Sequence, residues 1–333
     1  MKTTIERLIR REDLSSAECE DALHYIITSD DLINAAAFLV LMKSKGETAQ
    51  EIYGIANAMK SQMIRVKTTH DVMDIVGTGG DGMHTFNIST ASSLIAASCG
   101  VKIAKHGNRA VSSLCGSADF LGGLGIDINK TPEQASESID RDGFAFLFAP
   151  NYHPAMAKIA HVRKALSIPT CFNLLGPLLN PASPRYMMIG VFREDILDVI
   201  SDVLAMFKIT NAMVYHGCGT DELTICGLSK AIFISDGRKL STWINPDDYG
   251  FTKKSIEGLK GGSVDVNVNL FRDVLKGNSS VISESLMLNV AFMLMLYGSV
   301  KNVEEGLVIA HNALKDGSAE QFIKRLSTAY QHL

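Results

Sequence analysis

The sequence carries no surplus of positive charge: 32 Lys and Arg stand against 36 Asp and Glu, a net charge of −4, whereas a nucleic-acid surface needs a clear basic excess. Cysteines are few and form no C-x-x-C pair. Cys19, Cys99, Cys115, Cys171, Cys218 and Cys226 stand mostly in apolar or loop contexts, which reads as reduced thiols of a cytosolic protein. The scattered histidines offer no zinc spacing. The opening Met-Lys-Thr-Thr-Ile-Glu-Arg lacks the apolar core of a signal peptide. No run reaches membrane length either: the longest apolar stretch, Leu286 to Tyr297, is interrupted by Asn289 and falls well short of the ~20 residues that span a bilayer. Internal repeats and low-complexity segments are absent. What remains is an ordinary composition, 46% hydrophobic and 20% charged over 333 residues, enough chain for two domains and a substantial core. A soluble, cytoplasmic protein without nucleic-acid or membrane partners is expected.

The chain is organised around one glycine-rich stretch, Asp74-Ile75-Val76-Gly77-Thr78-Gly79-Gly80-Asp81-Gly82, continuing through Thr85-Phe86-Asn87-Ile88-Ser89-Thr90. Val72 to Val76 reads as a short buried strand. Ala91 to Ser98 reads as a helix that Gly100 ends. Glycines let backbone N–H groups approach an anion, and a helix N-terminus adds unpaired donors and a favourable dipole. A flexible turn is the plain alternative. Four glycines, an acid and a cluster of hydroxyl and amide side chains at a strand-to-helix junction favour phosphate binding. The stretch is neither a Walker loop nor a dinucleotide fingerprint. Asp81 is odd in a loop built for anions, unless it meets a ribose hydroxyl, a metal or a metal-bound water.

Residues 1–67 look helical throughout. Ser15 with Glu18 caps a helix running to about Ile27, Ser29 or Asp30 caps the next, and Thr48 with Glu51 opens a third. Helices this short and this apolar on one side must pack on one another or on a partner. From Val72 the texture alternates. Strands are expected at Val101 to Ala104, Phe144 to Ala149, Tyr186 to Val191, Ala212 to Tyr215 and Ala231 to Ser235. Asp236-Gly237 marks a hairpin turn, Thr131-Pro132-Glu133-Gln134 opens a helix, and three or four helices close the chain after Asn269. This order predicts an α/β fold: a small helical domain plus a larger domain with a mostly parallel central sheet. The passage from His153 to Pro184 breaks the alternation. Its first half, Pro154 to Ser167, is helical, and its second half is too apolar for a solvated loop. It is expected to return to the helical domain, so that 1–67 with 154–184 form one unit and 68–153 with 185–333 the other.

Two further loops carry chemistry. Lys105-His106-Gly107-Asn108-Arg109, with Ser112 and Ser113, places two cations, an amide and two hydroxyls after a strand. With the glycine loop it implies a ligand with two separated anionic groups, such as a nucleotide or a sugar phosphorylated at both ends. His216-Gly217-Cys218-Gly219-Thr220-Asp221-Glu222 ends in adjacent acids. On an exposed loop these are usually just solvated; facing a polyphosphate at the end of a sheet strand, they suit Mg²⁺. His106, His153 and His216 are candidates to line the cleft, whereas His84 and His161 have no special claim. Arg163 would matter if a second substrate carried a carboxylate, which a guanidinium grips bidentately.

These motifs resemble those of the anthranilate phosphoribosyltransferases. So do Phe146-Leu147-Phe148-Ala149-Pro150, Tyr152-His153-Pro154-Ala155-Met156 and Phe172-Asn173-Leu174-Leu175-Gly176-Pro177-Leu178-Leu179-Asn180-Pro181, in order and over nearly the whole chain. The resemblance implies the third step of tryptophan biosynthesis, in which the anthranilate amine displaces pyrophosphate from C1 of phosphoribosyl pyrophosphate. It implies Mg²⁺, with two ions expected, a homodimer joined through the helical domains, and a fold shared with pyrimidine nucleoside phosphorylases. For phosphoribosyl pyrophosphate it implies Gly77, Gly79, Gly80, Asp81, Thr85, Asn87, Ile88, Ser89, Thr90, Lys105, His106, Gly107, Asn108, Arg109, Ser112, Ser113 and Ser117. Gly77, Asn108 and Arg163 match anthranilate contacts, with His106, Tyr152 and His153 beside them, and Ser89, Asp221 and Glu222 match metal contacts. An aryl amine is neutral at pH 7, so no general base is named; Lys105 and His106 are the electrostatic candidates.

The chain departs from the expected pattern at Leu114-Cys115, Gly122-Gly123, Asn151, Ala157 and Pro169. Two rivals remain at this stage. A pyrimidine nucleoside phosphorylase should lack the Asn-Ile-Ser-Thr and Phe-Asn-Leu-Leu-Gly-Pro blocks, and both are present. A non-catalytic relative binding nucleic acid or a regulatory ligand wants a basic surface or a lost metal site, and the net acidity and the Asp221-Glu222 pair count against it.

Overall fold

The computed structural model describes residues 1–29, 31–110 and 113–327. Four helices open the chain: α1 (Lys2–Ile9), α2 (Ser16–Ser29), α3 (Leu32–Lys45) and α4 (Ala49–Ser61). Local chemistry sets their starts. Ser15 N donates to Glu18 Oε2 at 2.8 Å and Glu18 N donates back to Ser15 Oγ at 3.3 Å, closing a capping box. Thr48 and Glu51 form the same box ahead of α4. The cap of α3 is neither expected residue. Asp31 accepts from Asn34 N, because it stands immediately before the first helical position, where a carboxylate reaches the third amide; Asp30 lies outside the described residues. Glu51 goes beyond capping. Fully buried, it also accepts from Leu14 N at 2.9 Å and from Lys45 Nζ at 2.9 Å, tying α4 to α3 and to the connection between α1 and α2.

The alternating part then runs β1 (Met73–Gly77), α5 (Ile88–Ser98), β2 (Ile103–Gly107), α6 (Ser117–Gly123), α7 (Pro132–Asp142), β3 (Phe144–Phe148), α8 (Ala149–Tyr152), α9 (Pro154–Leu166), α10 (Phe172–Leu175), β4 (Tyr186–Gly190), α11 (Leu197–Met206), β5 (Asn211–Gly217), β6 (Ser229–Ser235) and β7 (Arg238–Ile244). Helices α12 (Val264–Leu275), α13 (Val281–Tyr297), α14 (Val303–Lys315) and α15 (Ser318–Leu326) close it. The strands form one sheet in the order β3-β2-β1-β4-β5-β6-β7. The first five are parallel, and β6 and β7 add an antiparallel edge. Asp236 and Gly237, at φ 47° and 78°, make the tight hairpin between them.

Two boundaries differ from the sequence reading. Strand β2 pairs with β3 from Ile103 to Gly107, so Lys105, His106 and Gly107 are strand residues rather than a loop; parallel pairing carries the strand past its apolar run. Helix α5 begins at Ile88, not Ala91, since nothing in Ile88-Ser89-Thr90 breaks a helix.

Both faces of the sheet are covered, as parallel sheets require. Met73 and Ile75 pack with α5 and α13 into one core. Val76, Ile189, Val214 and Ile232 face the other side, where α11 and the N-terminal helices lie. The passage after β3 runs back to those helices: α9 packs on α2 and α3, and α10 on α4. Leu174, Leu175, Leu178 and Leu179 share that core, which accounts for so apolar a connection. No described helix is long and apolar enough to cross a membrane.

Candidate active site

All five parallel strands end on one edge, and the strand order reverses at β1, with β2 on one flank and β4 on the other. At such a reversal the connections leave on opposite faces and open a crevice beyond the strand ends. Gly77 and Gly190, paired across β1 and β4, form its floor. Both need to be glycine for room. A Cβ on Gly77 would lie 2.2 Å from Asp221 Oδ2, and one on Gly190 would lie 1.7 Å from Asp221 O. The Asp221-Glu222 loop is thus pressed onto both strand ends.

In the loop after β1, Gly79, Gly80 and Gly82 have φ of 67°, 88° and 72°, so glycine is needed there for conformation. Gly79 N donates to Asp221 Oδ2 at 2.6 Å. Asp81 Oδ1 accepts from Met83 N at 3.0 Å, while its buried Oδ2 has no hydrogen-bond partner among the described residues. The segment beyond is strapped down. Thr85 bridges Lys260, Phe86 N donates to Leu259 O at 2.7 Å, and the buried Phe86 ring meets Phe120 edge-on at 5.6 Å. Asn87 is spent on the strap: its Nδ2 donates to Cys115 O at 3.0 Å and its Oδ1 accepts from Asn267 Nδ2 at 2.8 Å. Ile88 offers nothing to a ligand, for its side chain is fully buried and its amide donates to Phe86 O. Ser89 is half-buried, and its hydroxyl makes no hydrogen bond among the described residues. Thr90 Oγ1 donates to Ser117 Oγ at 2.9 Å, joining the first turns of α5 and α6.

Asp221 and Glu222 are each 8% exposed, unlike solvated loop acids. The turn before them is tight, with Thr220 Oγ1 donating to Gly217 O at 2.8 Å. From below, Asn289 Nδ2 donates to Leu223 O at 2.7 Å and Ser285 Oγ accepts from Ile225 N at 3.3 Å. Burial, with the neighbouring charge of Asp81, pushes the Asp221 carboxyl up to about 7. Glu222 is raised well above the usual range, by burial first and Asp221 next, with Lys105 opposing. Its Oε2 has no hydrogen-bond partner among the described residues. Hard oxygen donors, two orphaned carboxylate oxygens and the Ser89 hydroxyl fit Mg²⁺. No three His, Cys, Asp or Glu of the described residues form a ready metal cage; Mg²⁺ needs none, since it keeps waters and takes substrate phosphates alongside one or two carboxylates.

The second expected phosphate loop is rearranged. Lys105 is 1% exposed and its Nζ donates to Ile75 O at 2.6 Å; burial lowers its pKa while Asp74 and Glu222 support the charge. It underlies the acids from inside the sheet. His106, an electrostatic candidate in the sequence, is held neutral here. Burial, then His153, takes it down to about 3, and burial takes His153 down to about 4. Their Nε2 atoms lie 3.2 Å apart, and His106 Nδ1 lies 3.2 Å from Gly176 O. Donation from His106 Nδ1 to that carbonyl makes His106 Nε2 the acceptor from His153, so both rings are neutral and clasp β2 to the start of α9. Arg109 is also committed, with Nη1 2.7 Å from Asp119 Oδ1, and Asp119 in turn accepts from Ala110 N and Gly116 N. Asn108 and Ser113 are exposed, Gly107 ends β2 beside Ser117, and Ser112 lies outside the described residues.

Tyr152 turns away from the cleft: it is 1% exposed and its hydroxyl donates to Lys130 O at 2.9 Å, because its ring completes a small core with Ile139 and Leu147. His216 Nδ1 lies 2.7 Å from Val191 O. Arg163 is half-buried on α9, about 13 Å along the helix from its start. Its guanidinium sits 5.4 Å from the Phe172 ring centroid, and no carboxylate of the described residues pairs with it. Sequence reasoning missed the asparagines that hold the site. Asn180 Nδ2 donates to Asp74 Oδ2 and to Ala104 O, each at 2.7 Å, and Asp74 Oδ1 accepts from His106 N at 3.3 Å. The signal for Asn289 was visible, a lone amide in an apolar helix; for Asn180 and Asn267 there was none.

Residues 69–320 match the model described as "Glycosyl transferase family, a/b domain", and residues 2–63 match its helical bundle domain. The chain is 39% identical to the anthranilate phosphoribosyltransferase of Chlamydia felis over 100% of this chain and 97% of that one. It is 38% identical to that of Bacillus mycoides over 96% and 94%. Among solved structures, the Thermus thermophilus enzyme of that name superposes with a TM-score of 0.91 at 34% identity, covering 99% of each chain. The Saccharomyces cerevisiae enzyme solved with phosphoribosyl pyrophosphate and Mg gives 0.91 at 26% identity, over 99% and 98%. A glycine-floored crevice and buried acids suited to a cation are thus set in a fold shared end to end with these enzymes, and the chain belongs to the glycosyl transferase family, within it to the anthranilate phosphoribosyltransferases.

Proposed function

We propose that the chain joins anthranilate to phosphoribosyl pyrophosphate, releasing pyrophosphate and forming N-phosphoribosyl-anthranilate for tryptophan synthesis. The observation that carries this reading is the buried cluster of Asp81, Asp221 and Glu222 over the Gly77–Gly190 floor. Two buried acids, Asp221 and Glu222, raised by burial and by neighbouring negative charge, with Asp81 beside them, are a site that a divalent cation and a polyphosphate complete.

The diphosphate rests on the Gly79–Gly82 loop and the first turn of α5, where half-buried Ser89 offers its hydroxyl and buried Thr90, bonded to Ser117, fixes the turn. Asp221, Glu222, Asp81 and Ser89 would hold Mg²⁺, two ions in all, which would supply charge neutralisation to the leaving pyrophosphate. The anthranilate nitrogen forms its bond to ribose C1 as the C1–O bond to pyrophosphate breaks; the nitrogen then loses a proton to water. Neutral His106 and His153 supply no positive charge to repel the ribose cation that develops. Arg163 grips the anthranilate carboxylate, and Asn108 lies at the strand edge between the two substrates. In this reading 1–67 with 154–184 form one side of the cleft, and 68–153 with 185–333 the other. A homodimer through the helical side is supported by an exposed apolar face, with Ile9 64%, Ile33 84% and Val40 39% exposed on α1 and α3.

The test follows anthranilate fluorescence with purified protein, phosphoribosyl pyrophosphate and Mg²⁺. Decay that requires all three and stops with EDTA is expected. No decay from folded protein overturns the reading.

A further inference from the structure

On the opposite edge of the sheet, where β4 and β5 begin, a cavity of about 290 Å³ opens between the ends of α4 and α11 and the turn before β4. Three cations line it, Lys60, Arg185 and Lys208, and no carboxylate does. Phe207 and Ile209, both half-buried, with the edge of Met187 give it an apolar wall. Arg185 is already engaged, its Nη1 3.0 Å from Asp71 Oδ2 and its Nε 3.0 Å from Thr210 Oγ1. Lys60 is not. Its Nζ lies 3.8 Å from the centroid of the Phe207 ring, with no hydrogen bond or ion pair among the described residues. Burial, with Arg65 nearby, pushes this ammonium down to about 8. A partly desolvated charge with like charge beside it and no counter-ion gains from an incoming anion.

We propose that this cavity binds a small organic carboxylate with a flat apolar body, the carboxylate on Lys60 Nζ and the body against Phe207, Ile209 and Met187. The apolar wall selects such a ligand over inorganic phosphate, which would leave that wall unfilled. The site is separate from the catalytic edge. Met187 and Gly190 stand three residues apart on β4, about 10 Å at strand rise, and the cavity lies beyond Met187.

The probe is benzoate, with inorganic phosphate in a second arm, titrated into full-length protein carrying [13C]methyl-methionine. The Met187 methyl signal is assigned with Met187→Leu. Benzoate is expected to shift that signal saturably. Lys60→Met should weaken the response roughly tenfold or more, the worth of a charge-assisted hydrogen bond, while Lys60→Arg, which keeps the charge, should retain it. Unchanged transferase activity shows that both variants fold. Arg163→Ala should leave the Met187 response as it is, which separates this cavity from the anthranilate site. A Met187 signal unmoved by benzoate, a response that survives Lys60→Met or one lost in Arg163→Ala overturns the proposal. Phosphate binding as tightly as benzoate overturns the assigned ligand class.

Discussion

The carboxylate of Asp221 occupies the space that a side chain on Gly77 would need: a Cβ there would lie 2.2 Å from its Oδ2, which is held in place by Gly79 N at 2.6 Å. Gly77→Ala therefore displaces Asp221 and breaks that hydrogen bond. A loss of roughly tenfold or more in kcat/KM is expected, the scale of small misplacements at a reacting centre. The Mg²⁺ concentration for half-maximal rate should rise, as a Mg²⁺ titration of the initial rate would read. Unchanged Mg²⁺ dependence would remove Asp221 from the metal site.

The acid cluster costs stability until a cation arrives. A carboxyl raised on folding loses stability as pH climbs from the ordinary carboxyl range through its folded value, about 7 for Asp221. At pH 8, Asp221→Asn with Glu222→Gln should melt no lower than wild type without metal. Millimolar Mg²⁺ should raise the wild-type Tm and leave the variant where it is. Differential scanning fluorimetry decides both.

His106 and His153 set an acid limit. Their folded values, about 3 and about 4, lie below the ~6.5 of an unfolded histidine. The unfolded chain thus takes up protons first, and stability is complete above that value and drains away as pH falls from it toward 4. Urea unfolding at a series of pH values should show this slope, and His153→Gln should flatten it.

Asn180 donates to two buried acceptors, Asp74 Oδ2 and Ala104 O. Asn180→Ala leaves both buried without that donor, a cost of about 1–3 kcal/mol each, visible as a fall in the urea midpoint. Asp74 accepts from both Asn180 and His106, so the loss should also raise KM for phosphoribosyl pyrophosphate.

Arg163→Ala should raise KM for anthranilate by roughly tenfold to a hundredfold, the worth of a charged hydrogen-bonding pair, with little change in Tm because no carboxylate of the described residues depends on it. Initial rates at saturating phosphoribosyl pyrophosphate measure it. Equal effects on both substrates would place Arg163 elsewhere.

Much of this was legible along the chain, because the signals are local. A capping box at Thr48 and Glu51, a positive-φ turn at Asp236-Gly237 and a glycine cluster after an apolar strand depend on residues a few positions apart. The helical opening, the alternating strands and the crevice loop follow from such patterns. So does the return of Leu174 to Leu179 to the helices, since an apolar connection has to be buried somewhere.

The tertiary structure alone decided which candidate groups are free. Arg109 and Asn87 look like ligand contacts until Asp119 and Asn267 are seen holding them; Tyr152 belongs to a core that only the packing of α7 and β3 creates. The charge states of His106, Asp221 and Glu222 likewise depend on desolvation by segments far away in the chain. Sequence fixes which chemical groups are present and the local backbone that carries them, whereas their availability and charge are set by neighbours brought in from other strands, and no local pattern encodes that.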